Sequence, residues 1–135
     1  MGRLVVFLAR IQNKYDGYIP NDADVRGIGV DQETALLIGN DGVATVVGDG
    51  TAYMCTLKGG DGERVCSTHA PLTIGNTVAC ERLTGRSFDN PEAKDLDTFD
   101  LNLWKGSGLS YTFKVEKGKI RDGNPYGNED DVSEE

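Results

Sequence analysis

The chain has 135 residues, of which 38% are hydrophobic, and a formal net charge of −8. This length predicts one domain that is large enough to bury a core. The negative charge argues against binding to nucleic acid or to an anionic membrane. No stretch of the sequence approaches the roughly 20 apolar residues that a transmembrane helix needs. The short apolar run at residues 4–11 also lacks the cleavage site of a signal peptide.

Acidic residues are concentrated at the C-terminal end of the sequence. Glu and Asp occupy five of the last seven positions, and from Asp122 onward the apolar pattern of a core disappears. We predict that residues 122–135 form a solvated, disordered tail, with an acidic interaction tail as the alternative. The domain itself is predicted to span residues 1–121, with no clear repeat or internal linker.

The three cysteines, Cys55, Cys66 and Cys80, are an odd number, and none has the spacing Cys-x-x-Cys. The favoured interpretation is that they are buried thiols in a cytoplasmic protein, and the alternative is one disulfide in a secreted protein. The single histidine, His69, is not at ligand spacing from any of them and is expected in a surface loop. We therefore expect neither a metal nor a cofactor.

Periodicity predicts one helix followed by short strands. Leu4, Phe7, Leu8 and Ile11 recur at helical spacing, which predicts that Gly2–Ile11 is a helix with these residues on one face. A polar loop is expected at residues 13–26. The 18 glycines favour turns. Apolar runs between Gly and Asp turns then predict strands at residues 27–30, 34–38, 43–47, 52–57 and 65–68.

The second half of the chain continues this β pattern. We predict a β segment at residues 71–83 with a turn inside it at 74–77, a polar loop at 84–98, strands at 99–104 and 109–115, and a hairpin turn at 116–119. Four aromatic residues are expected to pack in the core and on edge strands rather than to form a platform for a sugar or a base: Phe99, Trp104, Tyr111 and Phe113.

The turn after the first predicted strand is the candidate site. It contains Asp31, Gln32, Glu33 and Thr34, between two apolar runs. A strand that ends in acids and amides commonly holds a carboxylate at the edge of a site. In an extended strand Asp31 and Glu33 would point one way and Gln32 the other, so a shift of one residue would change which group is presented.

The sequence from Gly27 to Ala35, Gly-Ile-Gly-Val-Asp-Gln-Glu-Thr-Ala, and the Gly-rich stretch that follows at residues 39–53 carry a family resemblance. They resemble the cyanophycinase family, which are serine peptidases related to aspartyl dipeptidase and have the pattern Gly-Ile-Gly-x-Asp-Glu-x-Thr-Ala. The similarity covers residues 2–57 well and residues 71–103 weakly. It implies an α/β fold: the C-terminal part of a flavodoxin-like sandwich of the class I glutamine amidotransferase type, β-rich with one N-terminal helix.

The resemblance also implies roles for individual residues. Gln32 aligns with the acid of a Ser-His-acid triad, and Glu33 or Asp31 would replace it if the turn shifts by one residue. Arg3 aligns with the end of a helix motif and would contact a carboxylate of an aspartate-containing peptide substrate. The sequence has no Gly-x-Ser-x-Gly elbow. We therefore expect the nucleophile and the His in an N-terminal part of the same fold that lies outside these residues.

An alternative of another class is a non-catalytic, β-rich binding or structural module on the same scaffold. Gln32 favours it, because an amide carries no charge to stabilise an imidazolium. With either function, a second copy of the chain is a further possible partner, which would give a homodimer.

Overall fold

A computed structural model describes residues 2–12, 22–60, 62–85 and 96–127. This part of the chain holds one helix and ten strands, which confirms the expected β-rich chain with an N-terminal helix. The elements are α1 Gly2–Ile11, β1 Val25–Val30, β2 Thr34–Ile38, β3 Val43–Gly48, β4 Thr51–Leu57, β5 Arg64–Val65, β6 Thr73–Thr84, β7 Thr98–Asp100, β8 Lys105–Gly106, β9 Leu109–Glu116 and β10 Lys119–Arg121.

The strands form two sheets. One has the order β1-β4-β6-β9-β10 with β5 also paired to β6, and the other has the order β2-β3-β7-β8. The five strand pairs whose register the described residues define are all antiparallel. A flavodoxin-like sheet is instead built from parallel strands joined by helices. The described residues therefore establish a β-rich class, and the flavodoxin-like assignment stays a prediction.

Two compact units are built from interleaved segments of the chain. The first comprises Met1–Gly27, Cys55–Cys80 and Tyr111–Glu135, and the second comprises Ile28–Met54 and Glu81–Ser110. In the second unit six buried side chains form one apolar cluster: Ala44, Val46, Ala52, Met54, Leu83 and Phe99. The first unit has buried side chains of its own, among them Leu8, Ile74 and Phe113.

The helix α1 has the predicted limits but a different buried face. Val5, Leu8 and Ala9 are buried, at the spacing of one helix face, whereas Phe7 is 59% exposed. A Cβ on Gly27 would lie 2.8 Å from Leu8 Cδ2, so α1 packs closely over β1 at this glycine. The predicted apolar face is therefore only partly the face that packs, because apolar residues on this short helix cover more than one face.

Two predicted elements in the second half differ from the structure. Residues 74–77 were expected to turn, but they lie inside β6, whose side chains alternate between buried and half-buried positions. A strand was expected at residues 99–104, but β7 ends at Asp100. Asp100 Oδ1 accepts hydrogen bonds from the backbone N–H groups of Asn102 (2.8 Å) and Leu103 (3.2 Å), which folds the chain into a turn.

The expected aromatic packing is confirmed. Phe99 and Phe113 are almost completely buried. The ring of Trp104 lies edge-on to Phe99 with centroids 5.1 Å apart, and Tyr111 stacks on Phe113 at 6.4 Å. These are the geometries that aromatic pairs prefer.

The cysteines are not all free thiols. Cys55 on β4 and Cys80 on β6 form a buried disulfide, and Cys66 is a half-buried free cysteine. The favoured interpretation of three buried thiols was therefore wrong, and the alternative of a single disulfide describes the structure. The two strands are neighbours in the sheet. The spacing of the cysteines in the sequence does not indicate that these strands are adjacent.

The predicted tail boundary falls inside a described segment. Residues 122–127 form turns in which Tyr126 N donates to Asn124 Oδ1 (2.8 Å), while the Tyr111 hydroxyl donates to Pro125 O (2.7 Å). Residues 128–135, which include the five acidic residues at the C-terminal end, lie outside the described residues, as do residues 13–21 and 86–95 of the two predicted loops. Across the described ranges no helix is long and apolar enough to cross a membrane.

Candidate functional site

Residues 31–33 link β1 to β2, and the two strands belong to different sheets. Asp31, Gln32 and Glu33 are all exposed. The link is a turn rather than extended strand, because Glu33 has a left-handed backbone with φ of 54°. The expected alternation of side chains along a strand therefore does not apply to these three residues.

Asp31 fixes the first half of this turn. Its backbone N–H donates to Thr51 O at 3.0 Å, and its carboxylate oxygen Oδ2 accepts from Thr51 N, also at 3.0 Å. Both bonds extend the pairing of β1 with β4 by one residue beyond the end of β1. The carboxylate of Asp31 is thus engaged with the backbone and has a structural role.

Thr34 fixes the second half. Its hydroxyl accepts a hydrogen bond from Gly50 N at 2.9 Å and donates one to Gln32 O at 3.0 Å. The carbonyl of Glu33 accepts from Asp49 N at 3.3 Å. The left-handed Gly48, with φ of 122°, makes this approach possible, because a Cβ there would overlap the carbonyl oxygen of Glu33.

Gln32 and Glu33 are therefore presented by a turn that other groups hold in place. Among the described residues, the hydrogen bonds of the turn are made by Asp31, Thr34 and the backbone, and none by the side chains of Gln32 or Glu33. Both side chains are exposed. Of the three candidate residues of the triad position, Asp31 uses its Oδ2 to accept from Thr51 N, whereas the side chains of Gln32 and Glu33 make no hydrogen bond within the described residues.

Apolar side chains flank this turn. Ile28 and Val30 on β1 and Leu37 and Ile38 on β2 are large hydrophobic residues that remain exposed. Each strand also lies at the edge of its sheet, as far as the described strands go. Edge strands with exposed apolar residues are uncommon on an isolated surface, because they invite pairing with another strand. The turn is accordingly bordered by exposed apolar residues of two edge strands.

The predicted substrate contact, Arg3, belongs to the first unit and the turn belongs to the second. Arg3 is exposed in the first turn of α1, where it lines an apolar groove. His69 is exposed in a turn with φ of 69°, which agrees with its predicted surface position. Over the described residues no three His, Cys, Asp or Glu side chains are grouped in a way that could hold a metal ion.

Sequence reasoning missed a buried polar network around Gln12. Its amide Nε2 donates to the carbonyls of Ala23 and Leu57, and Arg64 Nη1 donates to its backbone oxygen (2.8 Å) and to its Oε1. Burial lowers the pKa of the Arg64 guanidinium, and the neighbouring Cys66 opposes this effect only in part. The network joins the end of α1 to β4 and β5. The sequence did not indicate that Gln12 and Arg64 are part of a network, because the predictions relied on the pattern of apolar residues.

We expect Asp31→Ala to lower the free energy of unfolding by about 1–3 kcal/mol, because it removes the acceptor of Thr51 N–H. Urea denaturation would measure the loss. The matched control is Glu33→Ala. The side chain of Glu33 makes no hydrogen bond among the described residues, so this substitution should change the free energy of unfolding by less than about 0.5 kcal/mol. Equal effects of the two substitutions would show that the Asp31 carboxylate does not hold the turn.

Comparison of the chain with protein-family models, with curated proteins and with solved structures finds no match. Function is therefore inferred from the geometry of the turn and from the residue pattern of the sequence.

Proposed function

We propose that this chain supplies the triad-acid turn of a cyanophycinase-like serine peptidase. The enzyme would hydrolyse peptide or isopeptide bonds next to aspartate through an acyl-enzyme, with Ser and His contributed by a polypeptide segment outside these 135 residues. The observation that carries the proposal is the turn itself. Asp31 and Thr34 hold its backbone in one conformation, and Gln32, at the position of the family acid, remains exposed.

Each part of the triad would have a defined task. The Ser attacks the carbonyl carbon, the His takes the proton of the Ser and later gives it to the leaving amine, and the third residue orients the imidazole. The amide oxygen of Gln32 can accept the N–H of an imidazole, which fixes the tautomer that the reaction needs. An amide does not add the negative charge that stabilises the imidazolium, so we expect slow hydrolysis.

The apolar edges of β1 and β2 support the expected partner. Ile28, Val30, Leu37 and Ile38 would be covered by the remaining part of a flavodoxin-like sandwich, and the free edge of β1 would pair with one of its strands. In this proposal Arg3 contacts a substrate carboxylate, for which a guanidinium offers two parallel donors. Neither role requires a metal or a cofactor.

The second candidate is a non-catalytic, β-rich binding or structural module. Two observations favour it: position 32 is an amide, and the Asp31 carboxylate is hydrogen-bonded to the backbone. In the described turn, Glu33 is then the only exposed carboxylate that is not bound to the backbone. A module of this kind would use the same apolar edges to bind its partner.

A Ser-directed fluorophosphonate probe separates the two candidates. The 135-residue chain alone should remain unlabelled and should not hydrolyse a β-aspartyl isopeptide. The polypeptide that also contains the expected upstream segment should be labelled at one Ser in a Gly-x-Ser-x-Gly-like sequence. Labelling of a Ser within the 135 residues would contradict the peptidase proposal as stated. If the complete polypeptide reacts with neither the probe nor the substrate, the peptidase proposal is contradicted and the binding module is favoured.

A further inference from the structure

An apolar groove of about 540 Å³ lies in the first unit, and the candidate functions assign a role to Arg3 alone among the residues that line it. It is formed by α1, by the β9–β10 hairpin and by the turns at residues 122–127. Its size is within the range of about 300–1,000 Å³ that is usual for pockets that bind small molecules. The groove is made entirely of residues from one unit, so its shape depends on contacts within that unit.

The groove explains why large apolar side chains stay exposed in this unit. Phe7, Ile120 and Tyr126 are 59%, 39% and 38% exposed, and all three line the groove. Phe113 and Val115 on β9 are buried and also line it. Apolar residues that are grouped in a concave surface and left uncovered are typical of a binding site.

Positive charge is found at this groove although the chain as a whole is acidic. Arg3 is the one charged side chain among the described lining residues. It lies in the first turn of α1, which contains no acidic residue, so the positive end of the helix dipole adds to its charge. This combination complements one negative group attached to an apolar body.

We propose that the groove binds an amphipathic monocarboxylate, with the carboxylate on the Arg3 guanidinium and the aliphatic chain between Phe7, Ile120 and Tyr126. A guanidinium binds a carboxylate through two parallel N–H donors, and the apolar walls bury the chain. A polypeptide segment would bring many backbone polar groups, which these walls would leave without partners. The proposal does not rest on the peptidase chemistry.

Decanoate is the test ligand, and decanol is its uncharged counterpart with the same number of carbon atoms. Titration calorimetry should show that the chain binds decanoate at least about tenfold more tightly than decanol, as expected for a charge-assisted hydrogen bond. Arg3→Gln should remove that difference by weakening decanoate binding alone. Arg10→Gln, an exposed arginine on the same helix that does not line the groove, should leave both affinities unchanged.

Methyl NMR spectra locate the ligand in the same samples. Decanoate should shift the signals of Val6, Leu72 and Ile120, which line the groove. Phe7→Ser should weaken both ligands, and because Phe7 is exposed, the variant should keep the melting temperature of the parent chain. Absence of decanoate binding would overturn the proposal, and so would equal affinity for decanol or an unchanged affinity in Arg3→Gln.

Discussion

Replacing Gln32 by Glu should raise kcat/KM of the complete peptidase by about two to four orders of magnitude. In a serine protease, exchanging the triad acid for its amide lowers kcat by about four orders of magnitude, and Gln32→Glu is the reverse change. Gln and Glu have nearly the same shape, and Gln32 is exposed, so the substitution should not disturb the turn. Hydrolysis of a β-aspartyl isopeptide by the polypeptide that includes the expected Ser and His would measure the gain.

Glu33→Gln is the matched control in the same polypeptide. If Glu33 is only a charge on the turn, its amide variant should hydrolyse the substrate at nearly the parent rate. Loss of several orders of magnitude in Glu33→Gln, with no gain in Gln32→Glu, would assign the triad acid to Glu33. If neither variant changes the rate of hydrolysis, the turn does not contribute a triad residue.

Local patterns predicted the elements whose residues carry their own signal. The helix Gly2–Ile11 and the strand Thr34–Ile38 have the predicted limits, because helical periodicity and flanking turn residues define both within a few positions. The hairpin turn before β10 also follows from its sequence, in which a glycine with φ of 78° stands at position 118. These features need no information about distant parts of the chain.

Features that depend on strand register could not be predicted in this way. The turn expected at residues 74–77 was suggested by Gly75 and Asn76, yet Asn76 is buried and its Nδ2 donates to Lys58 O at 3.0 Å. That tertiary contact overrides the local turn preference of the residue. Pairing of Cys55 with Cys80 likewise follows from the adjacency of β4 and β6 in the sheet.

The candidate site was predicted only in part for the same reason. The sequence indicated that residues 31–34 form a polar turn, but the hydrogen bond from Thr51 to Asp31 spans 20 residues. That bond decides which carboxylate is engaged and which side chains remain free. The apolar groove was not predicted at all, because its walls come from α1 and from residues beyond 71, which no local pattern brings together.

Removing the Cys55–Cys80 disulfide should lower the free energy of unfolding by about 3–4 kcal/mol. The bridge closes a loop between residues 25 positions apart, and the chain-entropy model assigns about 3.5 kcal/mol to a loop of that length. Urea denaturation of the double variant Cys55→Ala/Cys80→Ala, compared with the oxidised parent, would measure the loss. Reduction of the parent with dithiothreitol in denaturant should give a similar loss.

Cys66→Ser provides the control for this prediction. Cys66 is half-buried and belongs to no disulfide, so its replacement should change the free energy of unfolding by less than about 1 kcal/mol. Peptide mapping of the non-reduced protein should find the bridge between Cys55 and Cys80 only. A double variant as stable as the parent, or a bridge that includes Cys66, would contradict the pairing. A bridge that forms fully during folding would favour an oxidising compartment over the cytoplasm, where thiols are kept reduced.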